Sequence, residues 1–113
     1  MLSREYTDVP KEPVGEDKSI RWLIGQPEGA PNFAMRMIEF EPGAVFETHE
    51  PPYEHEIFVV EGQGTAYTSN VEEPMYPGIA VYVPPGEPHG YRNTGNGPLR
   101  FICVIPHPED QPS

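Results

Sequence analysis

A single cysteine, Cys103, leaves no partner for an internal disulfide, so a reducing, cytoplasmic compartment is the default expectation. Basic residues are scarce: 7 Lys and Arg stand against 18 Asp and Glu, for a net charge of −11. A surface that acidic repels phosphate backbones and anionic headgroups, which argues against nucleic acid and membrane as partners. It does not bear on a small-molecule substrate held in an enclosed pocket. No apolar run approaches the ~20 residues of a membrane-spanning helix. The opening M-L-S-R-E-Y-T-D lacks the apolar stretch of a signal peptide, and none is expected. No repeat at a solenoid period is present. No window of about 11–18 residues keeps a 3.6-residue apolar period, which removes a helical bundle from consideration.

What the sequence does have is punctuation. In 113 residues there are 16 prolines and 11 glycines, with 36% hydrophobic residues, enough for one domain with one core. They cut the chain into roughly nine or ten short strands. We expect strands at 20–24, 32–40, 44–49, 56–61, 65–70, 71–76, 80–83, 89–93 and 99–105. The segment 32–40 alternates imperfectly and reads as buried on much of both sides. Gly62-Gln63-Gly64 reads as the turn of a hairpin joining 56–61 to 65–70. Pro74 places 71–76 at a sheet edge, because proline offers no N–H to a ladder. Residues 1–18 read as an extended arm, a disordered leader or a strand donated to a partner. Residues 19–106 form an all-β domain of sandwich or jelly-roll type, and 107–113 a polar tail in which His107 is solvated.

Three of the four histidines fall in two short segments, H49-E-P-P-Y-E-H55-E-I-F-V-V-E-G62 and G78-I-A-V-Y-V-P84-P-G86-E-P-H89-G-Y-R-N93. Side chains two apart share a face of a strand. On that rule Val45, Glu47 and His49 point together, as do His55, Ile57 and Val59, and as do His89, Tyr91 and Asn93. Three neutral imidazoles on one inward surface suit a divalent transition metal and leave open positions for water or substrate. Spacing alone favours reading any one histidine as a satisfied core or surface residue.

The motifs around the histidines resemble those of the cupin family. Gly43 is followed by five residues and His49, and His55 by six residues and Gly62. The second motif matches at Gly78, Pro84, Gly86, His89 and Asn93, with 15 residues between Gly62 and Gly78. R-W-L-I-G, A-P-N-F-A-M-R, E-H-E-I-F-V, H-G-Y-R-N and F-I-C-V-I-P are further similar to the small single-domain manganese cupins with a four-histidine site, over residues 20–106. The resemblance implies a single cupin barrel, a double-stranded β-helix of two facing antiparallel sheets. It also implies a homodimer, with the strand near 20–24 crossing to the partner, and His49, His55 and His89 as metal ligands. One position departs: the second histidine of His-x-His is Pro51, so a four-histidine site is not available. Either a three-histidine triad remains, or Glu47 or Glu50 completes the set, with Glu47 preferred for sharing the face of His49. Loss of the metal is the third option.

The ion is expected to be manganese or iron, with zinc, nickel and copper open. Tyr91 faces inward with His89 and either donates a hydrogen bond to substrate or packs; with Glu47 it forms the expected catalytic set. Tyr53 sits at the rim. Phe101 and Cys103 share a face of the last strand, which lines the pocket in the four-histidine relatives; these three are the expected substrate contacts. Glu54 and Glu56 turn away from His55, Asn93 fixes a turn, and Met35 and Met37 belong to a core or interface. Together these point to a metal-dependent, dioxygenase-like enzyme acting on a small organic substrate. The alternatives are a redox-neutral lyase, isomerase or decarboxylase, and a ligand-binding barrel without catalysis.

Overall fold

The computed structural model describes residues 1–48 and 51–107. Ten strands run through them: β1 Glu12–Val14, β2 Lys18–Ile24, β3 Phe33–Phe40, β4 Val45–Thr48, β5 His55–Glu61, β6 Gly64–Tyr67, β7 Glu72–Met75, β8 Ala80–Val83, β9 His89–Asn93 and β10 Leu99–Pro106. Helix among the described residues is limited to single 3-10 turns at Tyr6–Asp8 and Gln26–Glu28. The strands form two antiparallel sheets, in the orders β1-β2-β3-β10-β5-β8 and β4-β9-β6-β7.

Strand β10 organises the larger sheet. Its burial alternates without exception, with Leu99, Phe101, Cys103 and Ile105 pointing inward. It is hydrogen-bonded to β3 on one side and β5 on the other. The inward residues pack with Phe40, Ile57, Val59, Ala66, Met75 and Tyr91 into one core between the sheets. Each fully buried Phe, Leu or Val contributes roughly 1.5–3 kcal/mol, so Phe40, Leu99, Phe101 and Val59 together hold the sheets face to face.

Strand β3 is buried on both sides, as its imperfect alternation suggested. Ala34, Ile38 and Phe40 face the core between the sheets. Met37 faces outward into a second small cluster with Val9 and Leu23, against which Met35 packs. Tyr6 and Val9 supply the cover, so this part of the arm is packed on the domain. β1 pairs with β2 of the same chain, Glu12 opposite Ile20. The Arg21 guanidinium donates to the carbonyls of Tyr6, Thr7 and Val9 at 2.8–3.2 Å, which satisfies backbone oxygens that have no strand partner.

Two further local expectations are corrected. β5 and β6 are not a hairpin: β5 pairs with β10 and β8, and β6 with β7 and β9. Gly62 is a corner where the chain changes sheet. Its φ is 90°, and a Cβ there would collide with the backbone of Pro98 and Leu99, so the corner needs glycine. The true hairpin is β6–β7. It ends at Tyr67 because the Thr68 hydroxyl accepts from the N–H groups of Asn70 and Val71 at 3.2 Å and so turns the chain early. Pro74 does lie on the edge strand β7, opposite Thr65. His107 is not simply solvated. It is half-buried, with Nε2 2.7 Å from the Ala30 carbonyl and its backbone N–H 3.0 Å from that of Asn32.

Candidate functional site

His55 opens β5 in one sheet, and His89 opens β9 in the other. Both strands begin directly after proline-rich turns, and the turns are tied together: the Gly86 N–H donates to the Pro51 carbonyl at 2.7 Å. The two imidazoles meet between the sheets with ring centroids 5.1 Å apart at 66°. Tyr53 lies 5.1 Å from His55, and Tyr91 5.1 Å from His89. All four line a cavity of about 130 Å³ whose other walls include Arg36, Phe46, Thr48, Pro51, Phe101 and Cys103.

Protonation of the imidazoles follows from their neighbours. Nδ1 of His89 is 2.9 Å from the Glu87 carbonyl, which can only accept. Nδ1 therefore carries a proton, and in the tautomer this selects the lone pair is on Nε2. That Nε2 is buried with no hydrogen-bond partner among the described residues, and the same is true of His55 Nδ1. Burial, then His89, then Arg36 lower the His55 pKa to about 4, so its ring is neutral at pH 7. Imidazole nitrogens without a partner among the described residues, one with its tautomer fixed by a backbone carbonyl, fit a divalent transition metal. Among the described residues no three His, Cys, Asp or Glu are grouped so that they could hold a metal ion by themselves. His49, the third expected ligand, and Glu50 lie outside the described residues.

Glu47 is a correction. Phe46 and Thr48 line the cavity, so alternation turns Glu47 to the outer side of β4. There it is exposed and accepts from the Tyr67 hydroxyl at 3.1 Å. Glu47 therefore does not line the cavity that holds His55 and Tyr91, and lies instead around a separate, open pocket with Tyr67 and His89.

The other expected residues come together. Tyr91 is buried, and its hydroxyl has no partner among the described residues. Burial first, and Cys103 second, push its pKa up against the opposing pull of Arg36, so it remains a proton donor. Phe101 stacks on Tyr91 at 5.3 Å, and Cys103 is buried at the cavity wall. Burial also raises the Cys103 thiol despite Arg36, which keeps it neutral and a poor nucleophile. Tyr53 is half-buried at the rim, and burial raises its pKa as well. Glu56 is exposed, as expected from its parity. Asn93 fixes the β9 turn through three hydrogen bonds, to the carbonyls of Phe40 and Gly97 and from the Gly95 N–H. Gly90, between His89 and Tyr91, sits under Tyr67: a Cβ there would come within 2.6 Å of Tyr67 Oη and 2.8 Å of the Phe46 carbonyl. Sequence reasoning missed Arg36. Its signal was an arginine at the inward parity of a strand whose other inward residues, Ala34, Ile38 and Phe40, are apolar.

Residues 36–105 match the family model described as a Cupin domain, well over half of the 113-residue chain. The chain is a cupin. Its two facing antiparallel sheets are the single-domain jelly-roll barrel of that family. Among solved structures, this cupin is similar to the polyketide cyclase RemF from Streptomyces resistomycificus. The two are 34% identical over 94% of this chain and 80% of that one, with a TM-score of 0.85. It is also similar to a predicted oxalate decarboxylase from Thermotoga maritima, at 18% identity, 93% and 98% coverage and a TM-score of 0.82; at that identity the likeness is one of fold. Auxin-binding protein 1 of Arabidopsis thaliana is 23% identical over 121 residues, 95% of this chain and 60% of that protein. An oxalate-binding protein from Thermotoga maritima is 30% identical over 69 residues, 60% of this cupin and 57% of that protein. The cupin thus spans 60% or less of the length of these curated relatives.

Proposed function

We propose that this cupin is a metal-dependent enzyme that activates a carbonyl group of a small organic substrate and moves protons without net oxidation, in the manner of a cyclase or lyase. One observation carries the reading: two imidazoles and one protonated phenol, each with a buried polar atom that has no hydrogen-bond partner among the described residues, line the same small aromatic-walled cavity. The 34% identity to a polyketide cyclase over 94% of the chain supports the reaction class.

His49, His55 and His89 are the proposed ligands of a divalent transition metal, which when bound would supply a Lewis acid for a carbonyl or enolate oxygen. Tyr91 supplies the proton at the carbonyl oxygen, and solvent at the cavity mouth takes the proton that leaves the adjacent carbon. The Tyr91 ring is held by edge contacts with Phe40 and His89 and a tilted contact with Phe101, and its raised pKa keeps the O–H intact to donate to a developing oxyanion. Phe101 and Cys103 form an apolar floor that excludes water, and Tyr53 orients the substrate at the rim. A cavity near 130 Å³ matches the volume that accepts one benzene-sized ring (~150 Å³). The reacting ring or carbonyl segment enters, and the rest of a larger substrate stays at the mouth.

The test has two parts. Metal content is measured by mass spectrometry on protein purified without tag or chelator, together with His55→Ala and Pro51→His. About one equivalent in the wild type, lost in His55→Ala, is expected. No metal in the wild type after reconstitution with iron, manganese, zinc, nickel and copper overturns the reading. Proton chemistry is then followed as deuterium exchange into the methyl group of acetophenone in D₂O under anaerobic conditions. Catalysed exchange supports the redox-neutral enzyme. Substrate-dependent O₂ uptake without anaerobic exchange would instead establish the dioxygenase-like enzyme suggested by a three-histidine site.

A further inference from the structure

Arg36 stands in the wrong place for a structural arginine. It lies mid-strand in β3 with Ala34, Ile38 and Phe40 on the same inward face, and it lines the cavity with the two histidines. In register it is flanked by Trp22 of β2 and Cys103 of β10. Its guanidinium lies over the Trp22 ring at 5.5 Å, and Nη2 donates to the Cys103 sulfur at 2.9 Å. Nε is buried and has no partner among the described residues.

The other basic residues are all accounted for. Of the 7 in the chain, Arg4, Lys11, Lys18, Arg92 and Arg100 each pair with a carboxylate. Arg21 is satisfied by three backbone carbonyls. Only Arg36 has neither among the described residues, in a protein with 18 acidic groups. A guanidinium is permanently charged and offers five N–H donors in a planar fork. One neutral thiol answers little of that. A half-buried cation with unused donors, facing a cavity, is an uncompensated cost unless something anionic enters.

We propose that Arg36 is an anion-docking residue and that the molecule taken into the barrel is a small planar organic anion, held through a carboxylate or an acidic enol or phenol oxygen. The inference rests on reading this cavity as the reacting site, and it names the charge of what enters. Trp22 and Cys103 position the fork: one stacks on its face, and the other accepts at one edge. Arg36 itself lines the cavity that His55, His89 and Tyr91 share. The ligand is thereby fixed at two points, its anionic oxygen on Arg36 and its reacting oxygen near the imidazoles.

Benzoate and its neutral analogue benzamide separate charge from shape. Their affinities are measured by calorimetry on the native protein, Arg36→Gln, Arg36→Lys and His55→Ala, with metal content determined for each. Wild type is expected to prefer benzoate by about tenfold or more, in line with a charge-assisted hydrogen bond. Arg36→Gln should lose that preference while keeping its metal, and Arg36→Lys should keep part of it. Persistence of the preference in metal-depleted His55→Ala would place the anion on Arg36 rather than on the metal. A wild type with no preference for benzoate, or an Arg36→Gln variant that retains it, overturns the proposal whatever the metal content shows. Absence of metal with the preference intact would count against the enzyme and not against Arg36. Should Arg36→Gln fail to fold, phenylglyoxal labelling of the wild type decides: benzoate must protect Arg36 where benzamide does not, and equal labelling overturns the docking role.

Discussion

Tyr91→Phe is expected to make the protein more stable and less active. The Tyr91 hydroxyl is buried with no hydrogen-bond partner among the described residues. An unsatisfied buried hydroxyl costs roughly 1–3 kcal/mol. Phenylalanine keeps the ring and its contacts with Phe40 at 6.5 Å, His89 at 5.1 Å and Phe101 at 5.3 Å, so little is lost in exchange. The expected gain is about 1–2 kcal/mol, or roughly 4–8 °C in Tm for a chain of this size. Urea titration followed by the fluorescence of Trp22, the one tryptophan, measures it. The midpoint should rise with the slope unchanged. Acetophenone exchange should fall by about 100-fold or more, the usual weight of a general acid. Tyr91→Leu, which removes the stacking as well, should be less stable than wild type. A Tyr91→Phe variant destabilised by about 1 kcal/mol or more would refute the reasoning, because the hydroxyl would then hold a partner in the folded protein.

Asn93→Ala should cost roughly 2–4 kcal/mol, since it strands the buried Phe40 carbonyl and also releases Gly97 and Gly95; a change in urea stability below about 1 kcal/mol would show that the turn stands without it. Glu39 is pushed up by burial, but Arg100 at 2.9 Å and Lys11 at 3.4 Å outweigh this and hold its pKa below the ordinary 4.5. A carboxylate depressed in the folded state stabilises above its unfolded pKa and loses that contribution as pH falls through the folded value. Urea midpoints should therefore drop on acidification below about pH 4.5, and Glu39→Gln should flatten that limb; parallel acid limbs would refute the pairing.

Much of the strand pattern was legible because turn chemistry is local. Proline removes a donor and glycine admits positive φ, so the breaks at Pro42-Gly43, Pro77-Gly78 and Pro84-Pro85-Gly86 could be read directly from residue types. The spacing of the two motifs likewise located His55, His89 and Tyr91, which the fold brings to one cavity. What failed was whatever depends on a strand's neighbours. Gly62 reads equally well as a hairpin turn or as a corner between sheets; only the approach of Pro98 and Leu99 decides. Alternation relates Glu47 to His49 but does not say which side of β4 is the inside. The place of Arg36 depends on the pairing of β3 with β10 and β2, which sets it between Cys103 and Trp22.

Strand β10 has one more consequence, for the order of assembly. It occupies the slot between β3 and β5, pairing Leu99 with Phe40 and Phe101 with Val59, across sequence separations that make closure slow. A nascent chain that has not yet released residues 99–106 would display two unpaired edges, β3 and β5, of the kind that recruits other chains. It would also lack Phe101 and Cys103, the floor of the cavity. Synthesis of this barrel thus passes through a stage at which the first histidines have emerged but no pocket encloses them, and the arrival of β10 creates the enclosure.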